Sequence, residues 1–564
     1  MPKVIGIGKQ RYDRIIENNL FYIDKTMFIK EWWENQDDVT LITRPRRFGK
    51  TLNMDMLKCF FSNEYKDRGD LFEGLDIWKE EKYREIQGTY PVIFLSFAKI
   101  KQNTYKDAIA GIKRIICDEI QKYIFLKDWD GLADAEKNNL KNITYGMDDV
   151  TAQEAIASLS NYLSRYYGKN VIILLDEYDT PMQEAYVNGY LEELVSFTRS
   201  FFNATFKSNL YLERAVITGI TRVSKESIFS DLNNLKVITV ESDEYSDTFG
   251  FSEEEVFLAL DDFNLSDKKQ IVKEWYDGFT FGSQRDIYNP WSIINFLENK
   301  KIDTYWADTS SNSLINHLIK KSVPEIKELM ELLLKRESIE VTFDDQIVFN
   351  QLDKSKNAIW SLLVASGYLK IDDIEYKGLL LKPWYHISVT NLETVSMFAN
   401  MFAGWFENPD ARYNDFIKSL LNNDLKGMNY YMNKVALATF SYFDTGKNPS
   451  ETLEPERFYH GFVLGLIVEL SDRYEVKSNR ESGFGRYDVM IIPLDKSEKA
   501  IVLEFKVHEN DEEKTLEETV SSALAQIEEK KYDTELINAG VKKENIRHYG
   551  FAFEGKKVLI GTDE

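Results

Sequence analysis

The 564-residue sequence predicts an α/β protein in three parts: a doubly wound parallel sheet, a helical middle region, and a smaller α/β domain near the C-terminal end. Three observations carry this. The apolar run Val39–Thr43 leads into Arg44-Pro45-Arg46-Arg47-Phe48-Gly49-Lys50-Thr51 and then a helical stretch, Leu52 to Phe61. A second apolar run, Asn170 to Leu175, ends in Asp176-Glu177-Tyr178-Asp179. Far downstream, Gly485–Ile492 and Ile501–Lys506 read as two apolar strands joined by a polar turn, Leu494 to Lys499. Asp488, Glu504 and Lys506 stand on them where a sheet would sooner have no charge.

Strand, loop, Gly-Lys-Thr and helix form a phosphate cradle. Backbone N–H groups and the helix N-terminus face the anion, Lys50 reaches the outer phosphates and the Thr51 hydroxyl binds Mg²⁺. The predicted ATP-binding residues are Arg46, Arg47, Phe48, Gly49, Lys50 and Thr51. Arg44 takes the place of the motif's usual first glycine, so this turn must be built differently.

The run before Asp176 is apolar on both faces, which suits the centre of a parallel sheet. Acids at its carboxyl end lie where open α/β sheets bind ligands. Asp176 is expected to hold Mg²⁺ through water and Glu177 to orient an attacking water. Asp179 reads as a helix N-cap ahead of Pro181. Pro91–Phe97 and Arg214–Gly219 supply further strands, with helices over Tyr105–Ile124 and Ala152–Tyr167, which gives βαβ alternation. Thr218 and Arg222 close the last strand as candidate sensors of a terminal phosphate; structural turn residues are an equal alternative.

From Phe251 the pattern turns helical. Trp275-Tyr276-Asp277-Gly278-Phe279 and Asn289-Pro290-Trp291 suit a packed lid with Gly and Pro turns better than a base-stacking platform. Ala358–Leu369 reads as a helix ending at a glycine. Strand-like runs follow at Leu369–Ile371 and Tyr385–Val389, a small winged-helix-like module. Asp444–Ser450 is a turn-forming cluster. The expected domains are 1–245, 246–340, 341–445 and 446–564.

In the last domain, a turn centred on Lys496 puts Asp488 opposite Glu504. Opposed residues share a face, as do residues two apart, so Asp488, Glu504 and Lys506 converge on one patch. Adjacent like charges destabilise a sheet unless a cation lies between them. Mg²⁺ takes such oxygens, and a neighbouring lysine can hold a water or a phosphate oxygen. That is the chemistry of metal-dependent phosphodiester cleavage. Arg486, opposite Lys506 by the same arithmetic, would contact a substrate backbone. The competing explanation is a solvated face with an ordinary Glu–Lys pair, which strands this apolar argue against.

The order helix-Glu469, Gly-Arg-Tyr-Asp488, Glu504-Phe-Lys506, helix-Gln526 resembles the PD-(D/E)XK nuclease superfamily. Ile7-Gly8, Phe21-Tyr22-Ile23-Asp24-Lys25-Thr26, Arg44–Thr51 and Leu175–Asp179 look like the bacterial AAA-ATPase-like proteins that carry a C-terminal PD-(D/E)XK nuclease domain. The Arg-Pro-Arg-Arg-Phe-Gly-Lys form of the loop is typical of that family. The resemblance implies a P-loop NTPase fold followed by a restriction-endonuclease-like α/β domain. It implies ATP with Mg²⁺ or Mn²⁺, Glu469 as an additional metal ligand, Gln526 toward substrate, and DNA or RNA as partner, with a homo-oligomer admissible.

A net charge of −23 argues against a generic nucleic-acid coat but leaves room for a local basic groove. Two functions follow: an ATP-regulated nuclease, or a nucleotide-dependent switch whose nuclease fold binds without cutting. Hydrophobic residues at 43% can fill cores of this size. Cys59 and Cys117 lack metal-ligand spacing and read as buried thiols of a reducing cytoplasm. No apolar stretch suits a membrane span, and Met1–Lys9 lacks the apolar core of a leader.

Overall fold

A computed structural model describes residues 3–221, 228–229, 231–307, 315, 318–319, 324–334, 336–343, 357–406, 414–439, 463, 470, 473–482, 485–508, 514–554 and 557–563. The chain falls into two compact units, Met1–Leu318 with Ser338–Val395, and Ile319–Glu337 with Ser396–Glu564.

The first unit is built on β1 (Val39–Thr43), α1 (Lys50–Phe61), β2 (Val92–Ser96), α2 (Tyr105–Gln121), α3 (Asp149–Tyr167), β3 (Val171–Asp176), α4 (Thr180–Asn188), β4 (Leu212–Gly219) and β5 (Leu235–Ile238). The strands form one parallel sheet in the order β2-β3-β4-β1-β5. Every residue of β1 and β3 is buried, as strands covered by helices on both faces must be. Thr104 and Asp148 cap α2 and α3 by accepting from backbone N–H groups, and Gly168 ends α3 in the left-handed conformation. Because β4 lies between β1 and β3, the carboxyl ends of three strands meet. Ile42 pairs with Thr218 and Thr43 with Gly219.

The same unit continues through β6 (Phe251–Ser252), α5 (Glu253–Asp262), α6 (Lys269–Tyr276), β7 (Phe279–Phe281), β8 (Gln284–Tyr288) and α7 (Pro290–Asn299). Val256, Leu260, Val272, Tyr276, Tyr288, Ile293 and Phe296 form its core. The expected lid helices are joined by a short antiparallel sheet, β6-β8-β7, whose hairpin turns at Gly282 with φ +56°. Then come β9 (Ile339–Val341), α8 (Ala358–Ala365), β10 (Leu369–Lys377) and β11 (Lys382–Val389), a helix followed by a hairpin with a third strand. The helix α9 (Leu392–Phe406) begins in this unit and runs past its end at Val395.

The second unit holds α10 (Asn414–Leu421), α11 (Leu425–Thr439), β12 (Tyr474–Ser482), β13 (Gly485–Pro493), β14 (Ala500–Val507), α12 (Leu516–Lys530), α13 (Asp533–Asn538), β15 (Ile546–Glu554) and β16 (Lys557–Thr562). The strands form a mixed sheet in chain order, with β14 and β15 parallel across the α12 crossover. One face, bearing Val489, Ile491, Leu503, Phe505 and Phe551, packs with Phe416, Leu420, Met428 and Met432 of α10 and α11. The other, bearing Met490, Ile492 and Val502, packs with Ile527, Tyr532 and Leu536. Alternation along β13 and β14 therefore sends Asp488 and Glu504 to the α12 face.

Candidate nucleotide and phosphodiester sites

In the first unit, Gly49 stands at the N-cap of α1 with φ +80°, and no side chain caps the helix's first turn. A cavity of about 380 Å³ opens over this end, lined by Arg46 to Asn53, Glu177, Trp291 and Gly8 among others. Unbonded N–H groups and the helix dipole suit an anion there. The Lys50 ammonium is buried and donates to the carbonyls of Arg44 and Pro45, both at 2.8 Å. Burial lowers its pKa, against the pull of Glu177, Asp179 and Asp176.

Asp176, with no exposed surface, accepts from the Thr51 hydroxyl at 2.8 Å and the Thr218 hydroxyl at 2.7 Å. Burial raises its pKa despite those bonds, which is the position of a carboxylate short of positive charge. Glu177 follows in the left-handed region, φ +51°, half-exposed to the cavity, its carboxylate accepting from Thr180 Oγ1 at 3.1 Å. A hydroxyl, a buried acid and a second acid at the cavity wall fit a Mg²⁺-bound nucleotide phosphate.

Arg44 shows how the loop is built without the usual glycine. Its guanidinium is fully buried and donates to Thr43 O at 3.0 Å, Thr239 O at 2.7 Å, and Glu244 O and Tyr245 O at 3.4 Å. It also lies 4.5 Å over the Phe281 ring. Burial brings its pKa down to about 9. The start of the loop is stapled to the segment after β5. Arg47 takes positive φ instead, +65°, and stacks at 4.4 Å on Trp291. Phe48 is buried against Phe279, with ring centroids 4.7 Å apart. Arg46 donates to Gln183 at 3.1 Å.

The N-cap expectation for Asp179 is corrected. It occupies that position of α4, yet its side chain makes no capping bond. Its Oδ2 accepts from Ile220 N at 3.0 Å, Thr221 N and Oγ1 at 2.8 Å, and Gln183 Nε2 at 3.1 Å. Three donors from the chain leaving β4 outweigh one helix turn. Arg222 lies outside the described residues.

In the second unit, β13 and β14 pair Val489 with Leu503, Met490 with Val502 and Ile491 with Ile501, the register that sets Asp488 opposite Glu504. The recorded ladder stops at Val489–Leu503. Beyond it the Asp488 carboxylate accepts from Phe505 N at 2.8 Å. There a side chain of β13 bonds the backbone of β14 directly. Glu504 is 3% exposed and accepts from Gln526 Nε2, which is also 3.3 Å from the Tyr532 hydroxyl. Lys506 is half-buried two residues along the same face. Two carboxylates in register fit a divalent cation. Arg486 lies on β13 opposite Glu481 of β12, its side chain outside the described set, as is Glu469.

Sequence reasoning missed Tyr532. It is buried, its hydroxyl meets Gln526, and burial with the nearby Glu504 and Asp488 charges pushes its pKa up to about 12. Its spacing from Gln526 across the end of α12 was the available signal. Two other acidic clusters already hold lysines. Lys273 lies among Glu253, Asp277 and Asp286, and Lys377 among Glu340, Glu375 and His386.

Residues 6–229 match the family described as "Predicted AAA-ATPase", and residues 454–563 match the PD-(D/E)XK nuclease superfamily. The chain joins an AAA-ATPase-like region to a PD-(D/E)XK nuclease-superfamily region. The first match contains the phosphate loop, Asp176 and Glu177; the second contains Asp488, Glu504 and Lys506. A protein of Azotobacter chroococcum mcd 1, "Uncharacterized protein in vnfD 5'region", is 24% identical over 504 residues, which cover 87% of each chain. No helix among the described residues is long and apolar enough to cross a membrane.

Proposed function

We propose that the chain binds and hydrolyses ATP in its first unit and thereby controls Mg²⁺-dependent cleavage of DNA or RNA in its second. The observation that carries the nuclease half is the register that opposes Asp488 to Glu504 just where the strand ladder ends. A bound divalent cation would supply charge stabilisation at a phosphate and a more acidic water. Asp488 and Glu504 would hold it, while Lys506 would orient the water or meet the developing negative charge. Gln526 Nε2 donates to the Glu504 carboxylate and also reaches the Tyr532 hydroxyl.

In the first unit Thr51, Asp176 and Thr218 form one hydrogen-bonded set at the phosphate end. Lys50 would exchange two loop carbonyls for phosphate oxygens, and Glu177 would orient the water. The test pairs cleavage with nucleotide binding. Glu504→Ala and Lys506→Ala should each abolish metal-dependent cleavage and leave ATP affinity unchanged; persistent cleavage in both sinks the assignment. The net charge of −23 favours a second reading, a nucleotide switch whose nuclease fold binds without cutting. Nucleotide-dependent assembly with no cleavage of any nucleic acid would support it.

A further inference from the structure

The carbonyl of Arg46, in the middle of the phosphate loop, is held by two side chains from far along the chain. The Trp306 indole donates to it at 3.0 Å and the Asn289 amide at 3.4 Å. Asn289 is fully buried and its oxygen caps α7, accepting from Trp291 N at 2.9 Å and Ser292 N at 3.2 Å. Trp306 is buried between Phe279 and Tyr368, with ring centroids 5.3 and 5.1 Å away. Phe279 in turn packs on Phe48 of the loop.

Behind Trp306 stands Glu393, a carboxylate with no exposed surface. It accepts from Trp306 N at 2.6 Å, Ala307 N at 3.4 Å and the Ser292 hydroxyl at 2.8 Å. A buried carboxylate is costly unless hydrogen bonds compensate it. Here they tie both supports of the Arg46 carbonyl, the α7 cap and the Trp306 segment, to one residue. That residue sits in the first turn of α9, the helix whose sequence leaves the first unit after Val395 and continues in the second.

We infer that Trp306 and Glu393 are positioning residues that pass the state of the nucleotide site to α9. This rests on the nucleotide-binding reading above. Lys50 is tied to the carbonyls of Arg44 and Pro45, the residues just before Arg46. When Lys50 takes a phosphate oxygen, those carbonyls lose their donor and the adjoining Arg46 peptide must readjust. The indole N–H and Glu393 carry that readjustment to the head of α9. The relay needs no motion of the sheet, only a change at one buried hydrogen-bonded chain.

Trp306→Phe removes the indole N–H and keeps a ring against Phe279 and Tyr368. Glu393→Gln keeps an acceptor for Trp306 N and removes the charge. Backbone hydrogen exchange would be followed in the full chain, with and without Mg·ATP, over 44–53 and over 392–406. In the wild type, nucleotide should protect 44–53 and change exchange in 392–406. In Trp306→Phe the loop should still be protected, while the response of 392–406 falls at least about fivefold. Glu393→Gln should give an intermediate loss.

An equal response of 392–406 in wild type and Trp306→Phe overturns the relay. So does a protected loop with no response at 392–406 in the wild type. Absence of protection at 44–53 in the wild type is a separate result: it removes the nucleotide-binding reading and the relay with it.

Discussion

The two candidate sites hold their acids in different ways. Two hydroxyls bond Asp176, and the loop beside it is held by the buried Arg44 guanidinium and by Lys50 on two loop carbonyls, so a residue that would bind nucleotide also holds the loop together. Around Glu504 the geometry comes from strand register and from the point where pairing stops, and Lys506 stands half-buried outside the core. In the first region the loop's own side chains carry both roles; in the second Asp488 and Glu504 are bonded into the sheet while Lys506 stands apart from the core. Substitutions at the first should therefore show in both melting and binding, and at the second those that keep the hydrogen bonds should show in activity alone.

Asp488→Asn is the sharpest probe of that difference. The amide oxygen can still accept from Phe505 N, so the melting temperature should stay close to wild type. Cleavage should fall by roughly 100-fold or more, the usual cost of losing a group that stabilises transition-state charge. A large loss of stability would show that the second site is as structural as the first. Next in size is Arg44→Gly, which restores the motif's ordinary residue but removes four buried donor contacts to backbone carbonyls. Denaturant unfolding should report a loss of about 3 kcal/mol. An unchanged midpoint would mean the staple is not what builds the loop.

Lys50→Ala should raise the dissociation constant for ATP by roughly 10- to 100-fold, the worth of a charge-assisted hydrogen bond, in equilibrium binding. Glu504→Ala should leave it alone. The smallest effect concerns Glu393, whose pKa burial raises from 4.5 to about 7. Between those values the folded state holds a proton that the unfolded state has released, so stability is higher on the acid side and falls as pH rises through 7. The change from about pH 5 to 7 should be about 2 kcal/mol and should disappear in Glu393→Gln, measured by unfolding at each pH.

What could be read along the chain follows the same division. Gly49-Lys50-Thr51 and Asp176-Glu177 are contiguous, and the apolar runs before them are strands wholly buried in a parallel sheet, so local pattern sufficed. The opposition of Asp488 and Glu504 was legible because a short turn fixes register by arithmetic. The partners of Arg44 were not, since Thr239, Glu244 and Tyr245 lie 195, 200 and 201 positions away and offer backbone carbonyls, which every residue has. Asp179 looked like a cap because Pro181 follows it; only the fold brings Ile220 and Thr221 to its carboxylate. Glu393 and Trp306 sit in unremarkable local sequence and gain meaning from burial together. Tyr532 lies two residues past the end of α12, whose exit direction sequence does not set.

The most direct test of the central claim is cleavage itself. Single- and double-stranded DNA and RNA would be incubated with Mg²⁺ or Mn²⁺, with and without ATP, using wild type, Glu504→Ala and Lys50→Ala. Cleavage by the wild type that is lost in Glu504→Ala and changed in its ATP response in Lys50→Ala is the predicted result. No cleavage of any substrate by a wild-type chain that still binds ATP would contradict it.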